Sequence, residues 1–578
     1  MNLMTTAIPY DGTTRERWKL DLSQPIFLLL VLLLATLVLL PLSWLIYYSF
    51  LTPANKFSLQ NYINLVADPT LRRPFVVAIG MALSVGVIGC AIATPLAWIV
   101  ARTDMPGRAF IRGLVTASFV TPPFLGAIAW ELLAAPNSGL INVAYRWLFD
   151  LEPYEYLLDI YTFSGLVFVV ACYTFPYIFT LVANALDRVP NDLEEASAIL
   201  GAGSWTTARR VTIPMVLPAM LAGSLIAILQ ALTMFGSPAI IALPARFHVI
   251  TTKIWSLFQY PPNPGLAAAA AVPLLVVTIL LLWGQRRILG RRGFTTLGGK
   301  SGSPRLMKLG RWRWLAMAFA LAVVSLTVIL PYGALLKTAL TPTVAEPLTW
   351  DSLTLHHVKF VFFDLSATQL ALWNTFVLGV STATIGTAIA LVVAYLVSRQ
   401  SVRGSSMLGY LATAPVAIPG IVLGVGLFLS YSSPYLPLYG TLWILLIGFV
   451  TIEMPAGYQQ LSSALRSVHV ELEEASRILG GTRMTTLRRV TAPILRSNVI
   501  ATWCFVFIGT IRELSATILL TTADTKLVSV IIYDLNESGD LGAISVLGLM
   551  LLVISFAIIY LANRLPLLGG SRVAVLRG

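Results

Sequence analysis

Four ionisable residues stand in stretches that otherwise lack charge: Glu131, Glu453 and the adjacent pair Arg512 and Glu513. A charge inside an apolar segment of membrane length is costly and marks a bundle interior or a water-filled path. These four are therefore candidates for contact with a polar solute, and the carboxylates among them suit hard cations. Neighbours on a helix do not face one another, so Arg512 and Glu513 cannot simply neutralise each other; at least one needs a partner on another helix or in water. A plainer reading stands beside each: an interfacial position for Glu131 and Glu453, which lie near predicted span ends, and a structural interhelical pair or the bilayer edge for Arg512 and Glu513. Other chemistry is not signalled. Cys90, Cys172 and Cys504 fall in predicted spans with no paired spacing, which argues against a disulfide framework or metal cluster. The histidines are scattered, with His356 and His357 in a predicted outward loop, and no metal site is assigned. The run from Gly293 to Ser301 imitates a phosphate loop, but Phe294 stands where glycine is required and no strand precedes it.

A repeat supplies the second kind of candidate. The segment from Asp192 to Val216 returns 279 residues later, from Glu471 to Leu495, with fifteen of twenty-five positions identical. In the first copy Leu193, Ala196, Ile199 and Leu200 recur at helical spacing while Glu194, Glu195 and Ser197 point elsewhere, which predicts a short amphipathic helix. Asp192 suits its N-cap or first turn, and Gly201 can end it in a left-handed conformation. Arg209 and Arg210 mark the return to the bilayer surface, and Pro214 suits the first turn of the next span. Leu472, Glu473, Glu474, Ala475, Ser476, Gly480, Arg488, Arg489 and Pro493 repeat the pattern. A helix lying on headgroups would carry lysine and arginine on its polar face, whereas paired glutamates fit a protein groove better. Against this duplication Arg512 and Glu513 are asymmetric, because 279 residues earlier stand Thr233 and Met234.

The elements that position these residues are membrane helices. Of 578 residues 57% are hydrophobic and only 11% charged, far from a soluble domain, so the chain is an all-α integral membrane protein. The net charge of +13 is spread between apolar spans, which argues for a positive-inside bias and against nucleic acid. Pro25 to Phe50 is uncharged and reads as a retained first span, too long for a signal peptide. Apolar windows predict about twelve helices, near 25–50, 74–101, 112–134, 162–186, 213–236 and 265–284, then 314–338, 370–398, 407–431, 439–463, 493–520 and 541–563. Arg15, Arg17 and Lys19, the flanking Arg102, Arg108 and Arg112, and nine Lys/Arg between Gln285 and Arg313 place those segments in the cytoplasm. The acidic loop with Asp150, Glu152, Glu155 and Asp159 belongs outside, so both termini and both repeated loops lie inside. Six spans per half make parallel repeats: 1–284 is the first half, 285–313 a basic linker and 314–578 the second half. Arg102 and Gly107 also match Arg399 and Gly404 at an offset of 297.

The spacing Glu195-Ala196-Ser197, Gly201, Val211 to Pro214 resembles the EAA loop of permease subunits in binding-protein-dependent ABC importers, and Glu474-Ala475-Ser476, Gly480, Val490 to Pro493 repeats it. The departures are modest: Ser197 and Ser476 replace the motif's second alanine. The two loops, 192–214 and 471–493, are similar to those of fused permeases of the ferric-iron type. That resemblance implies the type I permease fold, a bacterial inner-membrane location and no catalysis in this chain. It implies that each loop is a coupling helix seated in one of two ATP-binding cassette subunits, where Mg-ATP is hydrolysed. Glu194, Glu195, Ala196, Ser197 and Gly201, with Glu473, Glu474, Ala475, Ser476 and Gly480, would form those couplings. It also implies an extracytoplasmic solute-binding protein. The phrase Arg512 to Leu520 is similar to a stretch of ferric-iron permeases, which favours Fe(III). Thiamine, polyamine or aminoalkylphosphonate import on the same scaffold, a gradient-driven carrier, and a non-transporting sensor are the alternatives.

Overall fold

The computed structural model describes residues 23–290, 306–400, 402–432 and 436–568. The expected cluster Arg15, Arg17 and Lys19, and the phosphate-loop imitation at 293–301, lie outside the described residues. Among the described residues the chain is helical, with two isolated β-bridges and no sheet. Among the described residues nine helices are long and apolar enough to cross a membrane, and three bent pairs bring the number to twelve when each pair counts as one span. In chain order the spans are Gln24–Ser49, Pro69–Arg102, Arg108–Val120 with Pro123–Ala134, Phe163–Leu186, Trp205–Thr233 and Pro264–Arg287. The second set is Trp312–Leu340, Ser366–Ser398, Ser406–Ala417 with Gly420–Tyr431, Leu442–Arg466, Leu487–Ile494 with Arg496–Ile511, and Leu541–Ala562.

The bends correct the sequence reading, which expects straight helices over 112–134 and 407–431. The third span turns by 103° and the ninth by 107°. Each turn falls at a proline, Pro122 and Pro419, both extended at ψ 127° and 142°. Proline removes a backbone donor and bars the residue before it from helical geometry, so an apolar window survives while the helix does not. The eleventh span also ends earlier than expected. It stops at Ile511, and Thr517–Leu520 forms a separate turn of helix.

Broken backbone at membrane depth needs internal partners. Ser237 Oγ donates to the Pro123 carbonyl at 2.8 Å, and Thr278 Oγ1 donates to the Ala417 carbonyl at 2.6 Å. Thr251 Oγ1 donates to the Met234 carbonyl at 2.8 Å, and Ser529 Oγ to the Glu513 carbonyl at 2.9 Å. Each of the two proline bends and each of the two chain reversals after the fifth and eleventh spans thus has a hydroxyl serving a carbonyl nearby.

The halves interlock. The first span packs on the second limb of the ninth, so closely that a Cβ on Gly426 would stand 2.7 Å from the Pro41 carbonyl oxygen. The seventh span packs on the second limb of the third, where the hydroxyls of Thr121 and Tyr332 are 2.6 Å apart. One hydrophobic core accordingly includes Phe124, Leu125 and Ile128 of the first half with Val422, Leu423 and Leu519 of the second.

The acidic loop carries a helix of its own, Leu140–Phe149, pinned by Asn142. The Asn142 side chain is fully buried, donates to the carbonyls of Ala135 (2.9 Å) and Leu158 (2.7 Å), and accepts from the amides of Leu157 and Leu158 at 2.9 Å. Replacing it strands buried backbone groups at about 1–3 kcal/mol each. Asn142→Leu should therefore speed cleavage near Tyr154 to Leu157 by added protease while leaving the spans intact, as read from fragment masses.

Candidate functional site

The repeated loops fold alike. Asn191–Ile199 and Val470–Ile478 are helices, each ended by a left-handed glycine, Gly201 at φ +81° and Gly480 at φ +82°. The amide of Ala202 donates to the Ser197 carbonyl and that of Gly481 to the Ser476 carbonyl, the closing bonds of a Schellman turn. A four-residue helix follows in each, Ser204–Thr207 and Arg483–Thr486. The Ser197 and Thr207 hydroxyls are 2.8 Å apart, and those of Ser476 and Thr486 2.9 Å, stitching the two helices of each loop into a knob.

The paired glutamates divide their work. Glu194 Oε1 accepts from Arg102 Nη2 at 3.2 Å and from Thr212 Oγ1 at 2.9 Å. Glu473 Oε1 accepts from Arg399 Nε at 3.1 Å and from Thr491 Oγ1 at 3.0 Å. Arg102 ends the second span and Arg399 caps the eighth, and each also donates to a carbonyl just before its loop, Val189 or Val468. The first glutamate of each pair is therefore an internal tether, which the sequence reading did not separate from its exposed neighbour, Glu195 or Glu474. Ala196 and Ala475 are exposed as well. Apolar side chains stand out beside them: Ile199 and Leu200 are each 86% exposed, Ile478 85% and Leu479 88%.

A cavity of about 300 Å³ lies between the halves, where the two proline bends meet the ends of the fifth and eleventh spans. The first half contributes Pro123, Tyr173, Gln230 and Thr233; the second contributes Gly420, Glu453, Arg512 and Glu513. Glu453 sits in the middle of a 25-residue helix, not at its end, which corrects the interfacial reading. Its carboxylate lies on Gly509, where a Cβ would come within 2.2 Å of Oε1. Arg512 caps the eleventh span and its Nη1 donates to the Phe119 carbonyl of the other half at 3.2 Å. Both Glu513 oxygens accept from the Ala516 amide at 3.1 Å, and Oε2 accepts from Thr517 Oγ1 at 2.9 Å. The adjacent charges thus bind away from each other in the chain reversal that follows the eleventh span, beyond its last helical residue, and both still line the cavity.

Glu131 falls elsewhere. It does not line this cavity; its Oε1 accepts from Tyr161 Oη at 2.7 Å and its Oε2 from Asn536 Nδ2 at 2.8 Å, joining the halves at a separate point. Burial, with Glu131 beside it, pushes the Tyr161 phenol above its ordinary range, so it stays a donor. His357 Nε2 lies 3.1 Å from the Thr341 carbonyl, and among the described residues no group of three His, Cys, Asp or Glu could hold a metal ion. Sequence reasoning missed a second cavity, of about 620 Å³, lined by Gln459, Gln460, Ser463, Asn498 and Thr502. None of these is charged; the available signal was their seven- and four-residue spacing on the two helices that carry Glu453 and Arg512.

A polytopic helical protein whose two parallel repeats enclose a polar cavity and carry matching knobs at one end is a membrane permease. Residues 93–294 and 386–566 match the family described as binding-protein-dependent transport system inner membrane component, and the chain belongs to that family, with two copies of its domain fused. The ferric transport system permease protein FbpB of Actinobacillus pleuropneumoniae is 26% identical over 489 residues, 82% of this chain and 67% of that protein. The Fe(3+)-transport system permease protein FbpB 2 of Haemophilus influenzae is 23% identical over 515 residues, 88% of this chain and 93% of its own length. The sulfate transport system permease protein CysT of Escherichia coli is 26% identical over 273 residues, 46% of this chain and 92% of its own.

Removing one partner of a buried ion pair costs about 3–5 kcal/mol, because the other charge stays buried. Arg102 is 3% and Arg399 13% exposed at the side chain, so removal of either Glu194 or Glu473 leaves a buried guanidinium. Glu194→Ala and Glu473→Ala should therefore each lower the melting temperature of the detergent-purified protein, whereas Glu474→Ala, at an exposed position, should leave it nearly unchanged.

Proposed function

We propose that this chain is the membrane-spanning subunit of an ATP-driven importer that receives Fe(III) from an extracytoplasmic binding protein. The observation that carries the reading is the pair of carboxylates, Glu453 and Glu513, set in a cavity closed by both halves. Carboxylate oxygens suit a hard trivalent cation, and the relatives that match over 82% and 88% of this chain bear ferric transport names. Sulfate is the second reading, favoured by Arg512 in the same cavity and by the sulfate permease that matches 46% of the chain. It is the weaker one, because two carboxylates stand in the cavity against one guanidinium.

Under this reading both knobs face the cytoplasm, with the termini. Ile199 and Leu200, and Ile478 and Leu479, are the apolar ridges seated in clefts of two ATP-hydrolysing subunits, which hold the Mg-ATP. Glu195 and Glu474 add polar contacts there, and Gly201 and Gly480 set the turn of each knob. Closure of the ATPase pair would draw the knobs together, and the fifth and eleventh spans would carry that displacement to the cavity at their far ends.

Two measurements test the proposal. Leu200→Glu with Leu479→Glu should abolish uptake and leave the ATPase subunits behind when the permease is purified; normal transport would reject the coupling surface. Glu453→Gln should lower uptake of radiolabelled ferric iron about tenfold without changing the amount of protein in the membrane. Accumulation of labelled sulfate in place of iron by the unaltered chain would reject the iron reading.

A further inference from the structure

The uncharged cavity belongs to the second half alone, and it lies on the same two helices as the second half's share of the charged one. Gln460 lies seven residues after Glu453, two helical turns, so both stand on one stripe of the tenth span about 10 Å apart along the axis. On the eleventh span Asn498, Gly509 and Arg512 likewise share a stripe, and Asn498 lies toward the knob. Thr502 Oγ1 donates to Gln460 Oε1 at 3.2 Å, tying the two helices at that level. Gly457 and Val506 fill the level between, a Cβ on Gly457 falling 3.8 Å from Val506 Cγ2, so the polar groups of the second half stand in two separate tiers on one face of this helix pair.

The first half has no counterpart. At the repeat offset of 279 the positions of Gln460, Asn498 and Thr502 are held by Leu181, Ala219 and Gly223. Gly223 lies directly on the fourth span, where a Cβ would come within 2.8 Å of Ile178 Cα. Glu453 corresponds in the same way to Thr174, and Arg512 to Thr233. One half supplies the track and the other a wall.

We infer that the solute leaves the charged cavity through a second, uncharged site on the second half alone, where the carboxamides of Gln460 and Asn498 and their neighbouring hydroxyls hold a hydrated cation by its water shell. The inference rests on the import reading. A multivalent cation held directly by carboxylates leaves slowly, and neutral oxygens hold it more weakly. Passage requires sites that bind well enough to admit an ion and weakly enough to release it. The step from Glu453 and Glu513 to Gln460 and Asn498 lowers affinity in the direction of the exit. The volume, about 620 Å³, accommodates an ion with a shell of about six waters at roughly 30 Å³ each.

The test uses cells lacking their own ferric uptake that express the full chain with its transporter partners, supplied with radiolabelled ferric citrate. Gln460→Leu with Asn498→Leu should lower the maximal uptake rate roughly tenfold while the half-saturating concentration stays within about twofold, because capture in the central cavity is untouched. Gln460→Glu places a charge where the ion should only pause, and should lower the maximal rate roughly fivefold; it decides the matter alone if the double variant fails to reach the membrane. Unaltered rates in both variants overturn the inference and leave iron import standing. An unaltered chain that accumulates no ferric iron overturns the import reading and this inference with it.

Discussion

No water is available inside a bilayer to satisfy a broken helix, so every interruption of the backbone there must be served by the protein itself. Among the described residues four such interruptions border one cavity: the bends at Pro122 and Pro419 and the reversals after Thr233 and Ile511. Ser237, Thr251, Thr278 and Ser529 each give a hydroxyl to a carbonyl at these points, and Arg512 gives its guanidinium to the Phe119 carbonyl. Glu513 works from the acceptor side, taking the amide protons of Ala516 and Thr517. The cavity exists because the breaks converge, and its polarity comes in part from the groups that make the breaks tolerable. Arg512 and Glu513 are thus structural and cavity-lining at once, and the opposition between those readings dissolves.

The knobs depend on a different device, repeated in both halves. Arg102 and Arg399 reach from the ends of the second and eighth spans to Glu194 and Glu473, fixing each loop to a helix other than the two it connects. Buried pairs of this kind add little net stability against an apolar alternative, but they fix geometry. A loop held at three points moves with its bundle as a body, whereas a loop held only at its two ends would bend. The apolar residues at its tip can then remain exposed in the isolated chain without being lost to collapse against the bundle.

Helix positions, the duplication and the glycine-terminated loops were legible because each has a local signature: charge-free windows, matching residues and a left-handed turn. Even the remote match of Arg102 with Arg399 was visible at an offset of 297, although its purpose appears only once Glu194 and Glu473 stand opposite. The bends were less legible, since Pro122 and Pro419 lie in windows whose mean apolarity they hardly change. Glu453 was misplaced for a related reason: distance from a predicted boundary says nothing about what a neighbouring helix offers, and Gly509 supplies the space. The amide-lined cavity left no trace in charge. Gln460 and Asn498 look like ordinary tolerated polar residues until the helical register sets them beneath Glu453 and Arg512. Glu131 was the converse, a conspicuous charge whose partners, Tyr161 and Asn536, turn it into a fastening between halves.

The leading span of each half rests on the other half, Pro41 against Gly426 and Tyr332 against Thr121. Two lobes joined this way are hooked like clasped hands, and pulling them straight apart would require stripping a whole helix from its seat. The motion that remains cheap is a swivel in which each lobe carries the other's first helix along. Such a joint makes the two lobes answer to each other, because neither can be displaced without carrying along a helix that belongs to its neighbour.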